Sequence, residues 1–109
     1  MATERLAQFE HEVLLAILRL GGEAYSVPLV LELEARTGRE IAQAAVFIAL
    51  RRLEDKGLLI SRFDDTALAE TGRVRRYFRP TREALRRLRE ARRTLRSLWE
   101  GLEPMLDRG

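Results

Sequence analysis

Residues 44–58 read AAVFIALRRLEDKGL, a stretch in which apolar residues recur every three or four positions before a glycine closes the pattern. On a helix, three of them align along one side: Val46, Leu50 and Leu53. Gly57 follows at a position where many helices end in the left-handed conformation. We therefore predict a helix from about residue 42 to residue 56, with this side in the core.

Two more helices are predicted upstream. Over residues 6–20, apolar residues recur with a near-helical period until Gly21-Gly22 stops them. Beyond the glycines, Ser26 offers an N-cap oxygen, and Pro28 falls in a first turn, where an amide has no helical partner. This second helix should run over about 27–37 and bury three apolar side chains: Val30, Leu31 and Leu33.

Downstream, two short β-like segments, over 58–63 and 74–79, flank a polar stretch and predict a hairpin with a long, mobile tip. Thr81 can then cap a further helix. Its apolar residues alternate steps of three and four, as in a coiled-coil seam: Leu88, Ala91, Leu95, Leu98, Leu102 and Met105. Pro104 cannot donate a helical hydrogen bond, so the regular helix should stop or kink near residues 101–103.

Charge is strongly polarised along the chain. Residues 1–72 hold eight Lys or Arg and twelve Asp or Glu, a balance of −4. Residues 73–109 hold twelve Arg and five acids, a balance of +7, and the two sum to the net charge of +3. A concentrated basic region on a small domain is typical of nucleic-acid binding. The alternative is a solvated face, since arginine also favours helices.

The residue content argues against catalysis. The chain has no cysteine, and its single histidine, His11, has no second metal ligand or nucleophile beside it in the sequence. Gly21-Gly22 lacks the Lys and Ser/Thr of a phosphate-binding loop. We therefore expect neither an enzyme nor a bound cofactor or metal. No signal peptide or apolar span of membrane length is present, so we expect a cytoplasmic protein that does not bind membranes.

The chain resembles the PadR-like family of bacterial transcriptional regulators over nearly its whole length, and three stretches carry the resemblance. Ala24-Tyr25 is similar to the family's Gly-Tyr or Ala-Tyr pair before helix two. Residues 44–58 resemble its recognition-helix signature, and residues 72–81, GRVRRYFRPT, resemble its wing strand and helix-capping Thr. Three departures fall where DNA would be touched: Ala42, where the family usually has a capping Ser, Ala44 for Gly and Phe47 for Tyr.

The order of elements and the resemblance predict a mainly α fold with a small β-hairpin (α+β). It is a winged helix-turn-helix with a long C-terminal dimerisation helix. The DNA-binding domain would span residues 1–80 and the dimerisation helix residues 81–109. The resemblance implies a repressor that binds double-stranded DNA as a homodimer on a pseudo-palindromic operator.

Candidate site residues follow from spacing and charge. Four positions share the side of the third helix that faces away from its core stripe: Gln43, Ala44, Phe47 and Arg51. We expect a partly exposed Phe47 ring. Phosphate contacts are assigned to three arginines that we expect to have few acids nearby: Arg73, Arg75 and Arg76. Tyr25 is added through the family motif.

The candidate dimer interface follows the apolar seam of the last helix, with Trp99 beside it: Leu88, Leu95, Leu98, Trp99 and Leu102. Two alternatives stay open. The weakly polar third helix is also compatible with a protein-interaction module, and Trp99 could stack a small aromatic effector or a carried ligand at the dimer interface.

Overall fold

A computed structural model describes residues 6–108 of the chain. The helices in order are α1 (Gln8–Arg19), α2 (Ser26–Thr37), α3 (Gln43–Asp55), α4 (Leu68–Thr71), α5 (Arg82–Trp99) and α6 (Glu103–Asp107). Two strands, β1 (Leu59–Asp64) and β2 (Arg75–Pro80), form one antiparallel sheet. The predicted fold class, mainly helical with one small hairpin, is confirmed.

The core lies where α1, α2 and α3 meet the base of the hairpin. Its fully buried large side chains include Leu14, Ile17, Leu29, Val46, Leu50, Leu53, Leu58, Leu59 and Phe78. Burying each such side chain stabilises the fold by roughly 1.5–3 kcal/mol before the entropy of ordering is counted. The stripe predicted for α3 is confirmed, since all three of its members are in this set.

The predicted core side of α2 needs correction. Leu29 and Leu33 are buried, whereas Val30 is only partly buried and Leu31 is 62% exposed. Leu29 and Leu33 lie one turn apart on the same side of the helix, and Leu31 is on the opposite side. In the sequence, the apolar residues of this short helix allow more than one choice of buried side.

Helix ends follow the predicted turn residues with one exception. Gly57 adopts φ +76°, just beyond the C-cap Lys56 of α3, as expected for a left-handed termination. Thr81 caps α5, because its Oγ1 accepts a hydrogen bond from the Ala84 amide at 3.3 Å. Ser26, however, is the first residue of α2 and not its cap; Tyr25 occupies that position without a side-chain hydrogen bond.

The hairpin forms the wing, which we define as β1, β2 and the connection between them. Ser61 pairs with Phe78, Arg62 with Tyr77 and Phe63 with Arg76. The connection, predicted as a loop, contains the short helix α4. At the other end of β2, Phe78 exchanges two backbone hydrogen bonds with Ala24, of 2.8 and 3.1 Å. This bridge fixes the base of the wing to the segment that begins α2.

The predicted interruption of the last helix is confirmed. Helix α5 ends at Trp99, Gly101 has φ +81°, and α6 begins at Glu103 with Pro104 in its first turn. Within α5, Ala84 and Leu88 are buried against the core. The apolar side chains further along are exposed: Leu95, Leu98, Trp99, Leu102, Met105 and Leu106. The second half of α5 and α6 therefore project an uncovered apolar surface.

Candidate nucleic-acid interface

A groove of about 630 Å³ lies between the start of α2, the start of α3 and the wing. We call it the reading groove. Its lining includes six of the eight predicted DNA-binding residues: Tyr25, Gln43, Phe47, Arg73, Arg75 and Arg76. Residues separated by up to 51 positions in the sequence thus converge on one open surface. The folded chain brings together the third helix and the basic strand that the sequence suggested separately.

Helix α3 supplies the polar and aromatic side chains of the groove floor. Gln43 is the first residue of α3, and its Nε2 donates to Ser26 Oγ at 3.3 Å. Phe47, one turn later, is 41% exposed, so the expectation of a partly exposed ring is confirmed. Ala44 and Arg51 are exposed on the same helix but do not line the groove. The Arg51 Nε lies 3.9 Å from Glu54 Oε1.

Aromatic rings and arginines form a stacked column at the base of the wing. Tyr25 and Tyr77 meet edge to face, with ring centroids 5.3 Å apart. The Arg75 guanidinium lies over the Tyr25 ring at 4.7 Å, and the Arg62 guanidinium over the Tyr77 ring at 4.8 Å. A hydrogen bond with the Tyr77 side chain raises the pKa of Arg75. Such cation–π stacking holds Arg75 in place while leaving its charge available.

The outer end of this column is tied to the core domain by an ion pair. Arg62 donates two hydrogen bonds to Glu23, of 2.8 and 3.0 Å. The hydrogen bond from Arg62 lowers the pKa of Glu23 below its usual range. Because the pair is exposed, its contribution to stability is small, but its bidentate geometry restrains the angle of the wing.

The expectation that the wing arginines have few acids nearby is wrong for Arg76. Its Nη2 donates to Glu54 Oε1 at 2.6 Å, and its Nε donates to Ser61 Oγ at 3.1 Å. Glu54 lies 22 residues earlier in the sequence, on the last turn of α3. Only the antiparallel register of the wing brings the two together. Arg73, in contrast, is exposed, and the structure gives it no ion pair within residues 6–108.

The predicted dimer residues divide into two groups. Leu88 is only 7% exposed in the single chain and belongs to its hydrophobic core, so its assignment to the dimer interface is corrected. It belongs to the same buried cluster as Phe78 of β2 and Ala84 of α5. Leu95, Leu98, Trp99 and Leu102 are exposed. The last three line a shallow apolar depression of about 400 Å³ with Met105 and Leu106.

Several residues of the site carried too little signal in the sequence. Three of them make their contacts across the sheet or between distant segments, which no local pattern shows: Glu23, Arg62 and Tyr77. Glu54 did offer a signal. It lies at the carboxyl end of a predicted helix, where a carboxylate is unfavourable unless a cation lies nearby.

Two findings bear on other classes of protein. Within residues 6–108, no three or more acidic or histidine side chains are grouped so that they could hold a metal ion. None of the helices described is long and apolar enough to cross a membrane.

The fold and the reading groove together define a winged-helix protein. A PadR family transcriptional regulator from Eggerthella lenta DSM 2243 is 33% identical, with a TM-score of 0.66 over 89% of this chain and 82% of that one. The chain therefore belongs to the PadR family of transcriptional regulators. It is a regulator and not an enzyme.

Other solved structures share the fold at lower identity. F93 from STIV, a winged-helix DNA-binding protein, is 12% identical, with a TM-score of 0.68 over 87% of this chain and 95% of that one. BpsR from Bordetella bronchiseptica is 23% identical, with a TM-score of 0.63 over 96% of this chain and 74% of that one. No protein-family model matches the sequence, and no curated protein does so either.

Proposed function

We propose that this chain binds double-stranded DNA with sequence specificity and acts in the cytoplasm as a repressor. The observation that carries the proposal is the reading groove, where polar, aromatic and cationic side chains converge on an open surface. Exposed cations beside a helix that can enter the major groove are what DNA recognition requires. A structural neighbour of the chain supports the proposal, since F93 is a DNA-binding protein.

Roles can be assigned to the residues of the third helix. The Gln43 amide can pair with adenine and the Arg51 guanidinium with guanine, each discriminating by roughly 1–3 kcal/mol. Ala44 and the exposed part of the Phe47 ring can contact thymine methyl groups or sugars. Among the described residues the Gln43 side chain makes one long hydrogen bond, of 3.3 Å to Ser26, and a base edge can replace that partner.

The wing supplies phosphate contacts that carry no sequence information. Arg73 is exposed, and Arg75 is held by the Tyr25 ring with no ion pair to a carboxylate within residues 6–108. Counterion release from the phosphates that they neutralise would supply much of the affinity. Tyr25 orients Arg75 from the cap position of α2. Arg76 was grouped with these residues on sequence grounds, but its pairing with Glu54 favours a positioning role.

We further propose that the protein acts as a homodimer. The uncovered apolar residues of α5 and α6 would pair across a two-fold axis with help from α1, and two α3 helices would then contact a pseudo-palindromic operator. An apolar groove of about 420 Å³ between α1 and α2, lined by Leu15, Leu18 and Leu33 among others, supports the involvement of α1. In this proposal residues 1–80 form the DNA-binding domain and residues 81–109 the dimerisation element.

A small aromatic effector near Trp99 is a further part of the proposal. Trp99 is 44% exposed beside the apolar depression on α5 and α6, where a planar ligand can stack. The DNA binding of BpsR is regulated by 6-hydroxynicotinic acid, which gives a precedent within the same fold. Quenching of Trp99 fluorescence by an aromatic acid, with a matching change in DNA affinity, would test this element.

The second candidate function is a protein-interaction module. It is favoured by one observation: α3 exposes Ile48 and Phe47 together, a less polar surface than a base-reading helix usually has. The carrier alternative would instead place a ligand at Trp99 without any DNA binding.

A mobility shift over a salt series separates these functions. DNA binding by counterion release weakens steeply as salt rises, whereas an apolar protein interface is much less sensitive. We expect steep salt dependence for duplex DNA, reduced when Arg73 and Arg75 are both changed to Ala. The absence of any duplex binding at low salt would contradict the proposal.

A further inference from the structure

Glu54 occupies an unfavourable position for a carboxylate. It lies in the last turn of α3, where the helix dipole places partial negative charge. Its side chain is only 24% exposed, so water screens it poorly. A carboxylate at this end of a helix costs free energy unless cations or hydrogen-bond donors hold it. The structure supplies both.

One carboxylate joins α3 to both strands of the wing. Oε2 of Glu54 accepts a hydrogen bond of 2.5 Å from Ser61 Oγ on β1. Oε1 accepts from Arg76 Nη2 on β2 at 2.6 Å. Arg76 closes the triangle by donating to Ser61 Oγ at 3.1 Å. On its other side, Glu54 Oε1 lies 3.9 Å from Arg51 Nε, on the exposed side of α3.

Arg76 is also held by aromatic rings. Its guanidinium lies 5.1 Å from the centroid of Phe63 and 5.2 Å from that of Phe78. A guanidinium that is ion-paired, stacked and three-quarters buried offers little charge to an approaching phosphate. Arg75, one residue earlier on β2, stacks on Tyr25 with no ion pair among the described residues. The two neighbouring arginines of the strand therefore differ in pairing: Arg76 is bound to a carboxylate, whereas Arg75 is supported by an aromatic ring.

We propose that Glu54 is the positioning residue that sets the balance between selective and non-selective DNA binding. It withholds Arg76 from the phosphates, partly neutralises Arg51, and fixes the wing against α3. Non-selective affinity rises with the number of phosphates neutralised, whereas selectivity depends on base contacts made in a fixed register. Glu54 therefore lowers the non-selective affinity for DNA and preserves the selectivity. The inference rests on the DNA-binding function proposed above.

The decisive variant is Glu54→Gln, which keeps the shape and one acceptor oxygen but removes the charge. Binding is measured over a salt series on a duplex selected from random DNA and on a scrambled duplex of equal length. We expect affinity for the scrambled duplex to rise several-fold at low salt. The logarithmic salt slope should steepen by roughly 0.9 for each arginine freed to reach a phosphate. The selected-to-scrambled affinity ratio should fall.

Asp55→Asn is the matched control. Asp55 is the neighbouring residue, exposed in the same helical turn, and the structure shows no ion pair for it within the described residues. The substitution changes net charge by the same amount without releasing an arginine. If both variants shift affinity and slope equally, only net charge matters and the inference is overturned.

A second comparison does not depend on the stability of Glu54 variants. Arg75→Gln should reduce the salt slope by roughly 0.9, whereas Arg76→Gln should leave it unchanged. Equal reductions by the two variants would place Arg76 on a phosphate and overturn the inference. Failure of the unmodified protein to bind any duplex would overturn the proposed function itself, and with it this inference. Binding with equal Arg75 and Arg76 effects would overturn the inference alone.

Discussion

At the scale of single residues, the existing partners of a few side chains in the reading groove determine how freely each can contact another molecule. Gln43 has one long hydrogen bond to Ser26, Arg75 has an aromatic support, and Arg76 has a carboxylate. Charge alone does not separate the last two, because both are arginines on one strand. Their surroundings do.

Gln43→Ala should change the preferred base pair at one position in each half-site. In the proposed role the Gln43 amide pairs with adenine, so its loss should remove discrimination of roughly 1–3 kcal/mol there. Because Gln43 is exposed, the melting temperature should stay the same. Sequence selection with both proteins measures the first effect and thermal unfolding the second. An unchanged consensus would remove Gln43 from the base-reading set.

Phe47→Tyr should strengthen DNA binding modestly. The ring is partly exposed at the groove, and a hydroxyl there restores the phosphate donor that the resembled family usually has. Titration of one duplex with both proteins checks the direction. Weaker binding by the tyrosine variant would show that the ring packs against an apolar surface of the DNA.

Glu83 gives a pH-dependent prediction at the start of α5. Hydrogen bonds from Arg86 and Arg87 lower its pKa from 4.5 to about 2. Since the folded-state pKa lies below the unfolded value, the stabilisation is complete above pH 4.5 and is lost as pH falls towards 2. Glu83→Gln should therefore lower the melting temperature at neutral pH, with the difference vanishing near pH 2. A difference independent of pH would contradict this origin.

At the scale of elements, periodicity predicted α3 well because its apolar residues share one unambiguous stripe. Helix α2 was harder, since Leu29, Val30, Leu31 and Leu33 allow more than one buried side in a short segment. The choice is made by α1 and α3, which pack against Leu29 and Leu33. Similarly, the Arg76–Glu54 pair depends on the strand register, which no local pattern encodes.

Paired substitutions within α2 test its observed rotation. Leu33→Ala should destabilise the protein by about 2–5 kcal/mol, because it leaves a cavity in the core. Leu31→Ala, on the exposed side two residues earlier, should change stability by less than about 0.5 kcal/mol. Urea unfolding of both variants measures the contrast. Equal losses would mean that the helix buries the side predicted from its sequence.

At the scale of the whole molecule, the sequence predicted the order of elements, the hairpin and the interruption before Pro104. It could not show that Leu88 is buried within the chain while Leu95 is exposed, because both satisfy the same heptad spacing. That distinction arises where α5 passes the edge of the core. The exposed part of the stripe is what the proposed dimer must cover.

Leu95→Glu should convert the proposed dimer into a monomer. It places an unpaired charge in the centre of an apolar interface, which is strongly unfavourable. The control is Arg93→Glu, which changes charge on the opposite, polar side of α5 and should leave the dimer intact. Sedimentation equilibrium reports the mass of each. An unmodified protein that sediments as a monomer at micromolar concentration would contradict the dimer proposal.

Selection of bound sequences from random duplex DNA at two salt concentrations is the sharpest test of sequence-specific DNA binding by this protein. We expect an enriched pseudo-palindrome whose half-sites lie one DNA turn, about 10–10.5 base pairs, apart. Its recovery should fall steeply at the higher salt concentration. No enriched sequence at either concentration, or recovery that salt does not change, would contradict sequence-specific DNA binding and favour the protein-interaction alternative.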